Sequence, residues 1–212
     1  YIATENIIWP AKSELTIKGN HTSLISANIN IPADITANIE QIKFKGLIEN
    51  NGRLIINGLK AADSEKAIIN NGSLTIINSI FNNNTVVLEN RNSATIYHSN
   101  FINNELVFAN YSTITAANNI IFNNTVITSR NSVDLNNCLV NTDPLFIDQE
   151  YIEIKHNSPA VDNGLELSIA TKDIYEISRP QHHKPDIGAK EISAPSIYVK
   201  TPANKTSTKI QT

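Results

Sequence analysis

The middle of the sequence repeats itself every twenty residues. The unit NNGSLTIINSIFNNNTVVLE begins at Asn70, and NRNSATIYHSNFINNELVFA and NYSTITAANNIIFNNTVITS follow it directly. An earlier unit aligns with the first at Asn51 and Gly52, and a shorter unit continues from Asn131. A period of roughly 20 to 50 residues is typical of solenoids, whose repeats pack against their neighbours in a row.

Apolar and polar residues alternate within each unit, as in Leu74 and Ile76 or Ile114 and Ala116. Period two indicates strands, and the Ile, Val and Thr content suits a pleated surface. Leucine-rich repeats have a similar length, but this sequence lacks their fixed leucines. Stacked copies would pair in parallel about 4.8 Å apart, which gives about six coils between residues 13 and 141. We therefore predict an all-β chain that folds as a parallel β-helix of about twenty residues per coil.

One position at the end of a strand is occupied by a polar residue in each unit. Stacked amides there can bond to one another and satisfy buried backbone groups, which predicts a structural ladder. A ligand or catalytic role for the histidine is the alternative, and we interpret its ring as a replacement for one amide. The members of this predicted ladder are Asn78, His98, Asn118 and Asn137.

Composition excludes several classes of function. The net charge of -3 and the 17% of charged residues offer no basic surface for nucleic acid or anionic lipid. The single cysteine, Cys138, cannot form an internal disulfide, and no apolar run reaches the roughly 18 residues of a membrane span. Because the chain starts at Tyr1 and has no methionine, we expect a processed product of export.

Three features of the first 140 residues carry weaker predictions. Residues 8–48 fit the repeat less regularly, with Trp9 expected to plug the open end, and residues 59–67 are expected to leave the coil as a small excursion. The N-x-[ST] pattern marks candidate glycosylation sites, although an asparagine-rich chain gives several by chance. These sites are Asn20, Asn71, Asn83, Asn110, Asn123 and Asn204.

After Asn141 the repeat stops, and four short motifs follow in order. They are DPLF at 143–146, SPAVDNG at 158–164, RP at 179–180 and PDIGAKE at 185–191. This order resembles the terminal segment of bacterial and archaeal surface proteins of the right-handed parallel β-helix (pectin-lyase-like) superfamily, including the choice-of-anchor type. The resemblance implies a right-handed β-helix with an irregular C-terminal cap, located at the cell surface.

The predicted cap, 142–192, would block the open strand edges of the last coil. Asp143, Asp162, Asp186 and Gly188 are expected to form turns and accept backbone hydrogen bonds. The alternatives are calcium held by Asp143 with Asp148 or by Asp162 with Asp186, and a metal site at His182 and His183 with Asp186. We predict no cofactor. The remaining ranges are the β-helix, 1–141, and an extended tail, 193–212, that is either a linker or a strand donor to its own helix or a neighbour.

An enzyme of this architecture would need carboxylates about one coil apart on one outer face. Between residues 70 and 141 the acids Glu89, Glu105 and Asp134 fall at three different positions of the repeat. No Ser-His-Asp order, glycine-rich phosphate loop or Cys/His metal spacing stands out. Arg91, Tyr111 and Arg130, which we place in nearly the same outer column, could form a sugar platform. A solvated face with no ligand is the default interpretation of these residues.

The sequence therefore favours a non-enzymatic, extracellular cell-surface protein with a structural or adhesive role, as one module or as a subunit of a filament. Its partners would be copies of itself or other surface components, with polysaccharide as a further candidate. The alternative hypothesis is a carbohydrate-active enzyme of the polysaccharide lyase type, or a polysaccharide-binding module.

Overall fold

A computed structural model describes residues 2–3, 7–8, 14–148 and 150–193 of the 212-residue chain. Trp9 and the predicted tail, apart from Ser193, lie outside the described residues. The chain is all-β, with no helix among the described residues and three parallel sheets stacked as a β-solenoid of about 6 turns. The predicted parallel β-helix is confirmed.

Each turn of the solenoid gives one strand to each of three sheets. Sheet A contains β1 (Ile2–Ala3), β4 (Leu24–Ser26), β7 (Lys43–Lys45), β10 (Lys60–Ala62), β13 (Ile80–Asn82), β16 (Asn100–Ile102), β19 (Ile120–Phe122) and β22 (Leu139–Val140). Sheet B contains β2 (Ile7–Ile8), β5 (Ile29–Ile31), β8 (Ile48–Asn50), β11 (Lys66–Asn70), β14 (Val86–Asn90), β17 (Leu106–Asn110) and β20 (Val126–Arg130). Sheet C contains β3 (Glu14–Lys18), β6 (Thr36–Glu40), β9 (Arg53–Asn57), β12 (Ser73–Ile77), β15 (Ser93–Tyr97), β18 (Thr113–Ala117) and β21 (Asp134–Asn136).

Equivalent residues of successive coils pair in register, as Thr75, Thr95 and Thr115 do along sheet C. The inward positions form a dry core in which the rings of Phe81 and Phe101 stack with centroids 5.2 Å apart. Parallel in-register pairing places like side chains above like, so one apolar residue per repeat gives a continuous column.

The expected excursion at residues 59–67 was wrong. Lys60 pairs with Ile80 and Lys66 with Val86, so this segment is a regular part of its coil. The small residues Ala61 and Ala67 are buried there, which their polar neighbours in the sequence concealed. The earlier coils keep register despite unequal turns, because strands with different spacings in sequence still pair along their whole length.

The irregular segment 142–193 lies along the outer face of sheet A. Three outward side chains of that sheet, Ile80, Ile102 and Ile120, are only 1–3% exposed. The segment supplies the apolar residues that pack with them, in two clusters. These are Ile152, Ile154, Ala160, Ile174, Ile187, Ala189 and Ile192. The segment was predicted to block the strand edges of the last coil, but it lines the side of the coils instead and reaches back to Gln41, whose Nε2 donates to Glu176 at 3.1 Å.

Candidate functional site

Two columns of asparagines, buried except for the half-buried Asn124, lie at two corners of the solenoid. In the first, Asn50, Asn70, Asn90 and Asn110 are all unexposed, and each Nδ2 donates to the next Oδ1 at 2.8–3.1 Å. Each of these amides also donates to a backbone carbonyl of the following turn. The second column joins Asn84, Asn104 and Asn124 at 3.0 and 2.9 Å. An amide offers two donors and an acceptor, which suits a position that must bond in both directions along the stack.

The predicted ladder lies at the third corner, where its four residues adopt left-handed backbone conformations with φ of 47–57°. Asn118 donates to His98 Nε2 at 2.9 Å and accepts from Asn137 at 2.9 Å. Asn78 donates instead to Asn57 at 3.2 Å, and the structure gives no hydrogen bond between its side chain and that of His98. Asparagine tolerates this backbone region better than most residues, which explains its recurrence.

The same corner also anchors segment 142–193. Asn78 donates to the Lys172 carbonyl at 2.9 Å, Asn118 to the Leu165 carbonyl at 2.8 Å and Asn137 to the Asn163 carbonyl at 2.7 Å. The ladder is therefore a row of docking points as well as a link between coils. The predicted role of these residues was a link between coils, and their hydrogen bonds to segment 142–193 were not predicted.

His98 is completely buried in that row. Its Nε2 accepts from Asn118, so its Nδ1–H donates to the Asp186 carbonyl at 3.1 Å, and the ring is neutral. Burial, followed by the charge of Arg179, lowers the pKa of His98 to about 3. A ring with both nitrogens occupied and no exposure fits the structural interpretation of this residue.

A buried ionic network holds segment 142–193 together. Arg179 and Glu191 have side chains only 1% exposed, and Nη1 donates to Oε2 at 2.7 Å. Arg179 also donates to the carbonyls of Asp186 at 3.2 Å and Gly188 at 2.8 Å. Gly188 has a φ of +101°, and an added Cβ would lie 2.6 Å from Asn100 Oδ1, so only glycine fits there.

The predicted turn-forming carboxylates accept backbone N–H groups. Asp143 accepts from Leu145, Asp162 from His183 and Lys184, and Asp186 from Asp162 and Ile192. Asp148, the other residue weighed for calcium, accepts from Ile152 and Glu153. Among the described residues no group of three or more His, Cys, Asp or Glu is arranged to hold a metal ion, and His182 and His183 are exposed.

The proposed sugar platform is only partly assembled. The Arg130 guanidinium lies 5.6 Å from the centroid of the Tyr111 ring, which is 49% exposed. Arg130 pairs in register with Asn110 rather than with Tyr111, so it occupies the position that asparagine has in the first column. Arg91 is engaged elsewhere, since its guanidinium pairs with Glu89, which also pairs with Lys66. Lys66 and, to a smaller extent, Arg91 lower the pKa of Glu89, whereas burial alone would raise it.

The candidate glycosylation sites differ in accessibility. Asn20, Asn83 and Asn123 are exposed and Asn71 is half-buried. Asn110 is fully buried in the first asparagine column, so the folded chain does not offer this site. Asn204 lies outside the described residues.

A groove beside sheet A was not expected from the sequence. Lys43 and Lys60 both pair with Glu150 of the irregular segment, at 3.6 and 2.9 Å. Lys60 is 13% exposed, and its Nζ lies 5.5 Å from the centroid of the Tyr175 ring. These contacts join residues between 90 and 115 positions apart, a separation that no local pattern reveals.

No family model matches the sequence, and no match was found among curated proteins or solved structures. Within the described part of the chain, no helix has the length and apolar character needed to cross a membrane.

Proposed function

We propose that the protein is an exported, non-enzymatic β-solenoid with a structural or adhesive role at the cell surface. The observation that carries this proposal is the pair of asparagine columns that run through the coils, from Asn50 to Asn110 and from Asn84 to Asn124. Such columns resist slippage of the stack, because a shift of one coil breaks amide hydrogen bonds in both columns together. The resemblance to pectin-lyase-like surface proteins with a choice-of-anchor segment belongs to the same proposal.

The exposed end of the solenoid supports the version in which copies assemble. Ile127, Val133 and Leu135 point inward from the last coil but are only partly buried. No strand among the described residues pairs with the far edges of β20, β21 and β22. Free edges and uncovered core residues favour association with another polypeptide.

Electron microscopy of the native material tests the assembled version. We expect rods longer than one solenoid, and a population of isolated particles only would contradict it. A panel of acidic and neutral polysaccharides, assayed for cleavage with and without calcium, tests the absence of catalysis. Turnover that disappears on Arg91→Ala or Arg130→Ala would overturn the non-enzymatic proposal.

A second candidate function is polysaccharide binding, which the contact between Tyr111 and Arg130 favours. An exposed aromatic ring provides a stacking surface for a sugar, and the adjacent guanidinium supplies donors. Loss of polysaccharide binding on Tyr111→Ala, with binding retained in Tyr97→Ala, would support this candidate. Equal binding by both variants would exclude the ring as the contact.

A further inference from the structure

The groove beside sheet A has a volume of about 310 Å³ and lies on outward positions of β4, β7 and β10. Leu24 and Ala62 in its lining are half-buried, whereas segment 142–193 packs over Ile102 and Ile120 farther along the same sheet. Mostly apolar clefts of roughly 300 to 1,000 Å³ with a few polar groups are typical of small-ligand sites. The volume of this groove is at the lower end of that range, so it suits a small molecule.

Two lysines of β7 offer free donors along the groove. Lys43 and Lys45 are two residues apart, so their side chains leave the same face of the strand with Cα atoms about 7 Å apart. Lys45 is exposed, and within the described part of the chain it has no ion-pair partner. The Lys43 side chain is 41% exposed, and its Nζ lies 3.6 Å from Glu150 Oε1, which is longer than a hydrogen bond. Both ammonium groups therefore keep N–H donors for a ligand.

Glu150 shows which chemical group this surface accepts. Its carboxylate is 3.6 Å from the Lys43 ammonium and 2.9 Å from that of Lys60, and its side chain is 56% exposed. The other carboxylate in the lining, Asp63, accepts from the Asn83 amide. Three lysines thus face two carboxylates, and the surplus of positive charge favours a further anion.

The remaining lining distinguishes between classes of anion. Leu24, Ala62 and the methylene stems of the lysines are apolar, and Asn82 is the uncharged polar side chain among the described lining residues. A sugar acid would bury hydroxyls there without enough partners, and a phosphate would leave the apolar wall uncovered. We propose that the groove binds a small aliphatic carboxylate, with its carboxylate on Lys43 and Lys45 and its hydrocarbon chain along Leu24 and Ala62.

NMR titration of the full chain with hexanoate tests the proposal, with acetate, hexanol, glucuronate and inorganic phosphate as comparisons. We expect hexanoate to shift the amides of β7 and β10, with a dissociation constant of about 1–10 mM for so small a ligand. Acetate should bind at least about tenfold more weakly, because it lacks the chain that covers the apolar wall. Equal affinity for hexanol would overturn the role of the carboxylate, and equal affinity for acetate, glucuronate or phosphate would overturn the aliphatic class. No shift of these amides with hexanoate would end the proposal.

A matched pair of double variants locates the carboxylate. Lys43→Gln with Lys45→Gln removes both proposed contacts at surface positions, and we expect hexanoate to bind at least about tenfold more weakly with little change in melting temperature. Lys155→Gln with Lys184→Gln changes two exposed lysines outside the groove, and binding should stay as in the unmodified protein. Equal affinity in the two double variants would place the carboxylate elsewhere and contradict the proposal.

Glu150→Gln gives an independent readout. It removes the carboxylate that competes for Lys43 and Lys60, so hexanoate should bind more tightly than to the unmodified protein. Weaker binding would contradict a site for an anion. The site depends neither on assembly of the solenoid nor on the contact between Tyr111 and Arg130, so its failure would not affect the proposed function.

Discussion

The coils and the segment beside them are stabilised in different ways. In the coils equivalent positions stack one turn above another, and asparagine amides form a continuous buried column from Asn50 to Asn110. Segment 142–193 has no repeat, and it encloses single charges such as Arg179 and Glu191. A repeated interaction distributes a defect over neighbouring turns, whereas an isolated buried charge depends on one partner. We therefore expect the coils and segment 142–193 to unfold separately.

The largest effect is expected from breaking the ion pair between Arg179 and Glu191. Removing one member of a buried pair leaves an uncompensated charge, so Arg179→Met should cost about 3–5 kcal/mol. The loss should be confined to segment 142–193. Hydrogen exchange should therefore accelerate at the amides of 186–192 while those of β15 and β18 stay protected.

Lys172→Met is the matched control, since Lys172 pairs with Glu176 on the surface, with side chains 55% and 50% exposed. This change should cost less than about 1 kcal/mol. If Arg179→Met also accelerates hydrogen exchange across the coils, the two regions unfold as one cooperative unit. That result would contradict separate unfolding.

A defect in an asparagine column should act on the coils instead. Asn90→Ala removes the donor to Asn110 and to the Thr113 carbonyl, and it takes away one of the two acceptors of the Asn70 amide. We expect a loss of about 2–4 kcal/mol in global unfolding by urea, because buried groups are left unpaired. Asn136→Ala, at an exposed residue of β21, should be nearly neutral, and equal losses in the two variants would contradict the role of the column.

Acid should loosen the docking of the segment through His98. The pKa of His98 is about 3 in the folded protein, against an ordinary value of 6.5. Above about pH 6.5 the ring is neutral in both the folded and the unfolded chain, so it costs no stability there. Stability is lost as the pH falls from there toward 3, by about 2 kcal/mol at pH 5. His98→Asn, which restores the amide found at Asn78 and Asn118, should remove this part of the pH dependence. An unchanged pH profile of unfolding in the variant would count against His98 as the titrating group.

The smallest effect is expected at the surface contact between the regions. Lys60, and to a smaller extent Lys43, lower the pKa of Glu150. The stabilisation from this contact is therefore present at neutral pH and is lost as the pH falls through the folded pKa of Glu150. Because Glu150 is 56% exposed, Glu150→Gln should cost less than about 1 kcal/mol, and the cost should shrink in high salt. A larger loss of stability in thermal unfolding that does not depend on salt would contradict a weak, solvent-exposed ion pair.

The sequence predicted the coils well because their determinants are local and repeated. Leu74, Ala94 and Ile114 share an inward position that the spacing alone identifies. The prediction of an excursion at 59–67 was wrong because the charged residues Lys60 and Lys66 concealed the repeat pattern in this segment. The column from Asn50 to Asn110 was missed, although an asparagine at four successive strand ends was visible as a signal.

The place of segment 142–193 was harder to predict. Its motifs indicate turns but contain no information about which surface they cover. The apolar residues Ile80, Ile102 and Ile120 at outward positions of sheet A were the available signal, since an exposed sheet face would carry polar residues there. Arg179 and Glu150 could not be assigned, because their partners are set by the tertiary fold.

The stacking of the coils can be measured directly with spin labels on one column of sheet C. Glu14 is five strands from Thr113 and three from Ser73 in the order of that sheet, with Ser93 between them. In a Cys138→Ser background, labels at Glu14 and in turn Ser73, Ser93 and Thr113 should lie about 14, 19 and 24 Å apart, one strand spacing per twenty residues. Distances that fail to rise with each repeat, as antiparallel hairpins would give, would contradict the parallel in-register solenoid.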